Sequence, residues 1–124
     1  MVGYVTLGTS DLDRAVAFYD ELLKPLNGKQ IMNDGRIVIW AGEHMGLGML
    51  AVCTPYDKNE PSVGNGVMVA LNMGTPEAVA ELHAKALELG ATDEGAPGER
   101  MPGAHFGYFR DLDGNKIAGF CLGA

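Results

Sequence analysis

The sequence predicts an α+β fold written twice. Each half of the 124-residue chain reads strand, helix, then several strands. At a constant offset the apolar positions of the halves coincide: Val5 meets Val69, Leu7 meets Leu71 and Phe18 meets Leu82. A turn-rich stretch holding Pro55, Pro61, Gly64 and Gly66 separates them. The reading is one domain of two modules, 1–56 and 66–124, joined by a linker at 57–65. A single half carries a marginal core, so the two are expected to share one and leave a cleft where their sheets curve together.

The elements follow in order. Tyr4-Val5-Thr6-Leu7-Gly8 is a short β-like run. Thr9-Ser10-Asp11 signals a helix start, with Asp13 three residues after Ser10 in a capping-box arrangement. Leu12, Ala15, Val16, Tyr19, Leu22 and Leu23 recur at helical spacing until Pro25 ends the helix. Strands are expected at 29–32, 36–41 and 47–53. The second half opens with a strand from Val67 to Asn72, and Gly74-Thr75-Pro76 then starts a helix with proline in its first turn. Val79, Leu82, Ala86 and Leu89 make its buried stripe, and Gly90 stops it. Strands near 91–94, 105–110 and 116–122 complete the chain, and Asp111-Leu112-Asp113-Gly114-Asn115 reads as a hairpin turn rather than a calcium loop.

Composition bounds the function. Apolar residues are 47% and charged residues 20%, which excludes a disordered chain. No apolar run is long enough to span a membrane, and the opening residues lack a basic segment followed by an apolar one, so no membrane partner and no export are expected. The net charge of −7 argues against a nucleic-acid partner. Cys53 and Cys121, the two cysteines, are too few and too far apart for a disulfide framework or a zinc knuckle. They read as small buried residues of a cytoplasmic protein.

Three stretches carry a resemblance. YVTLGTSDLDRAVAFYDELL, GNGVMVALNM and YFRDLDGNKIAGF resemble, in this order, the vicinal oxygen chelate superfamily of glyoxalase, bleomycin-resistance and extradiol-dioxygenase proteins. The resemblance covers nearly the whole chain. It implies paired βαβββ modules, curved mixed sheets around a cleft, and, in the metal enzymes, His, Glu or Gln ligands to a divalent ion. On this chain those four ligand positions fall at Tyr4, near Ala51, at Met68 and at Ala118. Methyl groups cannot bind a metal and a thioether is a soft ligand, so the inherited metal site reads as lost and no cofactor is expected.

Strand alternation gives the remaining cleft floor: Tyr4, Thr6 and Gly8 on the first strand, Met68, Ala70 and Asn72 in the second module, Ala118 and Phe120 on the last strand. Such a floor, apolar with a phenol, a hydroxyl and an amide, suits a small-molecule ligand. Arg100 and Glu99 are expected in a loop over the cleft, where a guanidinium suits a carboxylate, and Tyr108 joins the floor. Among the three histidines, His105 is the candidate acid or base at the cleft mouth, His44 reads as a turn residue and His83 as a helix-margin residue. Arg36 and Trp40 are read on one strand face.

Three functions compete. The first is a metal-free protein that binds or converts a small molecule. The second is a metal-dependent glyoxalase-type lyase or dioxygenase with displaced ligands such as His105, His44 or Glu99. The third is a drug-sequestering protein whose acidic pocket takes cationic drugs. A homodimer is expected, with Trp40, Tyr56, Tyr108 and methionines as contact residues.

Overall fold

The computed structural model describes residues 1–43 and 48–123; the expectation for His44 lies outside the described residues. The chain divides into two compact units, Met1–Val63 and Gly64–Ala124.

The first unit runs β1 (Tyr4–Gly8), α1 (Leu12–Leu22), β2 (Lys29–Asn33), β3 (Ile37–Ala41) and β4 (Met49–Cys53). Its sheet order is β1-β4-β3-β2, with β1 parallel to β4 and the other pairs antiparallel. α1 starts where its free N–H groups find an acceptor: the Asp11 carboxylate takes the Arg14 amide at 3.1 Å. The cap is therefore Asp11 and not Ser10. The threonine before it fixes the entry, since Thr9 Oγ1 both accepts from the Asp11 amide and donates to the Asp11 carbonyl. Pro25 lies in a short 3-10 turn, Lys24–Leu26, that leads out of the helix.

Alternation along the strands puts Leu7, Val38, Trp40, Leu50 and Val52 on the face toward α1, all buried. Burying each such aliphatic side chain stabilises by about 1.5–3 kcal/mol. Trp40 also has a polar tether: its indole N–H donates to Asp20 Oδ1 at 2.8 Å, and Asp20 accepts from Gln30 Nε2 at 3.0 Å as well. One carboxylate on α1 thus holds the two antiparallel strands that form the far half of the sheet. Trp40 is 2% exposed and belongs to this core, so it is not available as the interface residue expected from the sequence. Arg36 precedes β3 rather than lying on it.

The second unit repeats the plan: β5 (Val69–Asn72), α2 (Pro76–Glu88), β6 (Thr92–Met101), β7 (Ala104–Arg110) and β8 (Lys116–Leu122), in the order β5-β8-β7-β6. Thr75 caps α2 by accepting from the Ala78 amide at 3.1 Å, and Pro76 follows where no N–H is needed. Gly90 ends it with a φ of +105°, a conformation other residues adopt at a cost. β6 is far longer than the run 91–94 suggested. It absorbs Gly95, Pro97 and Gly98 by register shifts against β7, which an edge strand tolerates. Glu99 and Arg100 therefore lie on a strand and not in a loop. The Asp111–Asn115 turn is closed by its own side chains: Asp111 Oδ1 accepts from the amides of Asp113 and Asn115 at 2.9 Å each.

α2 lies against Ile117, Gly119 and Cys121 of β8 and Gly107 and Phe109 of β7. A Cβ at Gly119 would sit 2.7 Å from Leu82 Cδ2, so only glycine lets the helix come this close. His83 is in this layer too, 6% exposed, its Nε2 3.0 Å from Asp93 Oδ1 and its ring edge-on to Phe109. The helix-margin expectation for His83 is corrected: the residue next to Leu82 is turned inward because Asp93 on β6 satisfies its buried nitrogen.

No helix among the described residues is long and apolar enough to cross a membrane.

Candidate functional site

The expected site residues fall into two groups, one in each unit. In the first, Tyr4 and Thr6 point to the face of the sheet opposite α1. Tyr4 stands across from Met49, and Thr6 across from Ala51, which is fully buried. The side chain beside the Tyr4 phenol on β4 is thus the Met49 thioether, while the Ala51 methyl lies one step along.

In the second unit, the face opposite α2 is built by the even-numbered residues of β7 and β8. Register sets Phe106 beside Phe120 and Tyr108 beside Ala118. The Phe106 and Phe120 rings stack at 5.6 Å between centroids and 19° between planes, and Phe106 and Tyr108 at 5.9 Å and 11°. Three half-buried rings therefore form one column. Two cations meet its Tyr108 end: Arg100 Cζ is 5.5 Å and Lys116 Nζ 5.4 Å from the ring centroid. The Arg100 guanidinium is held by a hydrogen bond to the Ala96 carbonyl.

The glycines of β6 make room for this arrangement. A Cβ at Gly95 would come within 2.9 Å of Tyr108 Cδ2, and one at Gly98 within 3.0 Å of an Arg100 guanidinium nitrogen. The same glycines that hid β6 from sequence reasoning are what admit the ring and its cation. A third cation, Arg110, hydrogen-bonds the Glu94 carboxylate, and this pairing holds the Glu94 pKa below its usual value.

Other expectations fare differently. His105 points to the α2 side of β7, the side opposite Phe106 and Tyr108, because it is an odd position on a strand whose even positions carry the column. It is not brought together with Tyr108, Phe120 or Arg100. The signal was in the sequence: His105 and Tyr108 are three apart on one strand and cannot share a face. Met68 precedes β5 and is 41% exposed. Asn72 is on the exposed side of β5, but its Oδ1 accepts from the Gly74 amide at 3.1 Å and so shapes the turn into α2. Phe106 and Lys116 were missed, although their even spacing from Tyr108 and Phe120 was legible.

A family model described as the Glyoxalase/Bleomycin resistance protein/Dioxygenase superfamily matches residues 1–118. The chain belongs to this superfamily. Among solved structures it is similar to a glyoxalase/bleomycin resistance protein from Albidiferax ferrireducens T118, with 29% identity, 98% of each chain covered and a TM-score of 0.88. A glyoxalase/bleomycin resistance protein/dioxygenase family enzyme from Burkholderia phytofirmans PsJN shares 20% identity over 97% of each chain, at a TM-score of 0.78. A lactoylglutathione lyase from Agrobacterium tumefaciens shares 18% over 98% of this chain and 92% of its own, at 0.72. No curated protein sequence matches the chain.

The four positions expected from the sequence to answer to metal ligands carry an exposed phenol at Tyr4, buried methyl groups at Ala51 and Ala118, and a thioether at Met68. Methyls donate nothing, and a thioether is soft, so these residues do not fit a hard or borderline divalent ion. Among the described residues no group of three or more His, Cys, Asp or Glu is placed to hold a metal.

Proposed function

We propose that this member of the superfamily takes a small aromatic acid on the face of the second sheet opposite α2, without the divalent metal of its metal-dependent relatives. The observation that carries this reading is the Phe120–Phe106–Tyr108 column with Arg100 and Lys116 at one end. Aromatic area recognises a ring and the cations recognise its carboxylate. The chain as a whole carries −7, so this local gathering of positive charge runs against the average and selects for anions. The same charge disfavours a cationic drug on this face. A cytoplasmic location and a homodimer belong to the same proposal. Light scattering that returns only monomer at high concentration removes the dimer.

The test compares benzoate, benzyl alcohol and benzylamine by NMR titration of metal-free protein. Benzoate is expected to bind best, with saturable shifts at Phe106, Tyr108 and Phe120. Arg100→Gln is expected to weaken it about tenfold, the scale of one charge-assisted hydrogen bond. Gly95→Ala is expected to displace the Tyr108 ring, 2.9 Å from the new Cβ, more than the Arg100 guanidinium at 3.6 Å, and to lower affinity without removing a charge. Tighter binding of benzylamine, or binding that requires an added divalent metal, overturns the reading.

One observation favours a metal-dependent second reading: Glu99 stands directly across from His105 in the β6–β7 register, and His105 Nδ1 is buried with no hydrogen-bond partner among the described residues. Two displaced donors then share the α2 side. Stoichiometric nickel or zinc bound by the wild type, and lost in both His105→Ala and Glu99→Gln, would support it.

A further inference from the structure

A cavity open to solvent lies wholly within the first unit, at the edge where β1 and β4 end, α1 begins and the segment after β4 folds back. It measures about 370 Å³, within the range of small-molecule sites. Ser10, Arg36, Tyr56, Lys58, Glu60 and Pro61 are among its walls. The returning segment is locked in place, since Pro61 packs so closely on Gly8 that a Cβ there would sit 2.9 Å away.

Two features single this cavity out. Arg36 is pre-positioned: its Nη1 donates to the Thr54 carbonyl at 2.8 Å, the Thr54 amide returns a bond to the Arg36 carbonyl at 3.1 Å, and the guanidinium lies 5.5 Å from the Tyr56 ring centroid. That leaves the Nε and Nη2 edge of the fork for a bidentate acceptor. Lys58 is held with a φ of +67°, a left-handed conformation that costs a lysine about 1 kcal/mol, in a turn closed by its amide to the Pro55 carbonyl at 3.0 Å. Among the described residues neither cation is in an ion pair, although acidic residues outnumber basic ones 16 to 9 in this chain. Glycine would serve the turn better, and lysine supplies a charge in its place.

We infer that this cavity is a binding site for a small monocarboxylate, gripped by the Arg36 fork and the Lys58 ammonium. Glu60 also lines the cavity, so a ligand with a second negative charge would meet repulsion there. Asp11, Asp34 and Asp57 each accept a backbone N–H of their own loop or helix start, and of these Asp34 also feels the Arg36 charge, which, after the Ile37 and Arg36 amides, helps hold its pKa below the ordinary value. The site is separate from the column of the second unit and stands or falls without it.

The test follows amide shifts of ¹⁵N-labelled full-length protein during titration with propionate, propionamide and succinate at constant ionic strength. Propionate is expected to give saturable shifts at Tyr56, Lys58 and Asn59, with succinate weaker and propionamide silent. Arg36→Gln and Lys58→Gly are each expected to weaken propionate about tenfold. Lys58→Gly is also expected to hold or raise the melting temperature, because it relieves the backbone. That stability gain separates loss of binding from loss of fold. Equal shifts from propionamide, or propionate affinity unchanged in both variants, overturns the inference. Shifts at Tyr56, Lys58 and Asn59 report this site and shifts at Phe106, Tyr108 and Phe120 the other, so the two are read independently.

Discussion

Replacing Gly119 by alanine tests the packing that sets α2 on the second sheet. The added methyl would lie 2.7 Å from Leu82 Cδ2 and 3.4 Å from Met73 Cγ. The first distance is well inside carbon–carbon contact, and Leu82 is fully buried, so the leucine cannot turn away into solvent. Overpacking of this kind costs about 1–3 kcal/mol. Leu82→Ala alone removes a buried leucine and costs about 2–5 kcal/mol. In the double variant the new methyl occupies part of the space the leucine vacates. Its destabilisation is therefore expected to fall short of the sum of the singles by about 1–2 kcal/mol, a coupling typical of touching residues. Urea denaturation followed by far-UV circular dichroism reads all four proteins. Additive losses, or a Gly119→Ala protein as stable as the wild type, would refute the claim that helix and strand meet here without space for a Cβ.

Three further outcomes follow from single contacts. Asp20→Ala leaves the buried Trp40 indole N–H without its acceptor and frees Gln30, so it is expected to cost about 1–3 kcal/mol. The emission of this sole tryptophan is the local readout, expected to change in the folded variant. The Gly95 amide, then the His83 hydrogen bond, hold the Asp93 pKa below its ordinary value. Its contribution to stability is thus present above the unfolded-state pKa and lost as pH falls through the folded one. Asp93→Asn is expected to flatten that part of the acid limb of a stability–pH curve, and an unchanged acid limb counts against the contact. Asp111→Ala removes the acceptor of three hydrogen bonds in the β7–β8 turn and is expected to destabilise by about 1–3 kcal/mol, measured as a lowered urea midpoint.

Short-range signals were legible in the chain itself. The Thr75 cap, the Pro76 start, the Gly90 stop and the Asp111–Asn115 turn each depend on atoms within a few residues. The same locality explains the near miss at Ser10: Asp11 stands one place on with an equally good acceptor, and only the geometry of the Thr9 bonds decides between them. Side-chain parity along β7 and β8 was also in reach, and it places His105 apart from Tyr108.

What the amino-acid order determined by itself is the α+β class and the doubled plan, since the periodicity of its apolar residues is a property of the chain. What only the tertiary structure decided is which side chains meet. β6 exists as a long strand because β7 pairs with it across glycines and a proline that discourage a strand in isolation. His83 is buried because Asp93 reaches it, and Arg36 becomes a fixed fork because Thr54 returns to bind it. The His83–Asp93 and Arg36–Thr54 contacts join residues ten and eighteen positions apart, and their energies exist only after the backbone has brought them within a few ångströms.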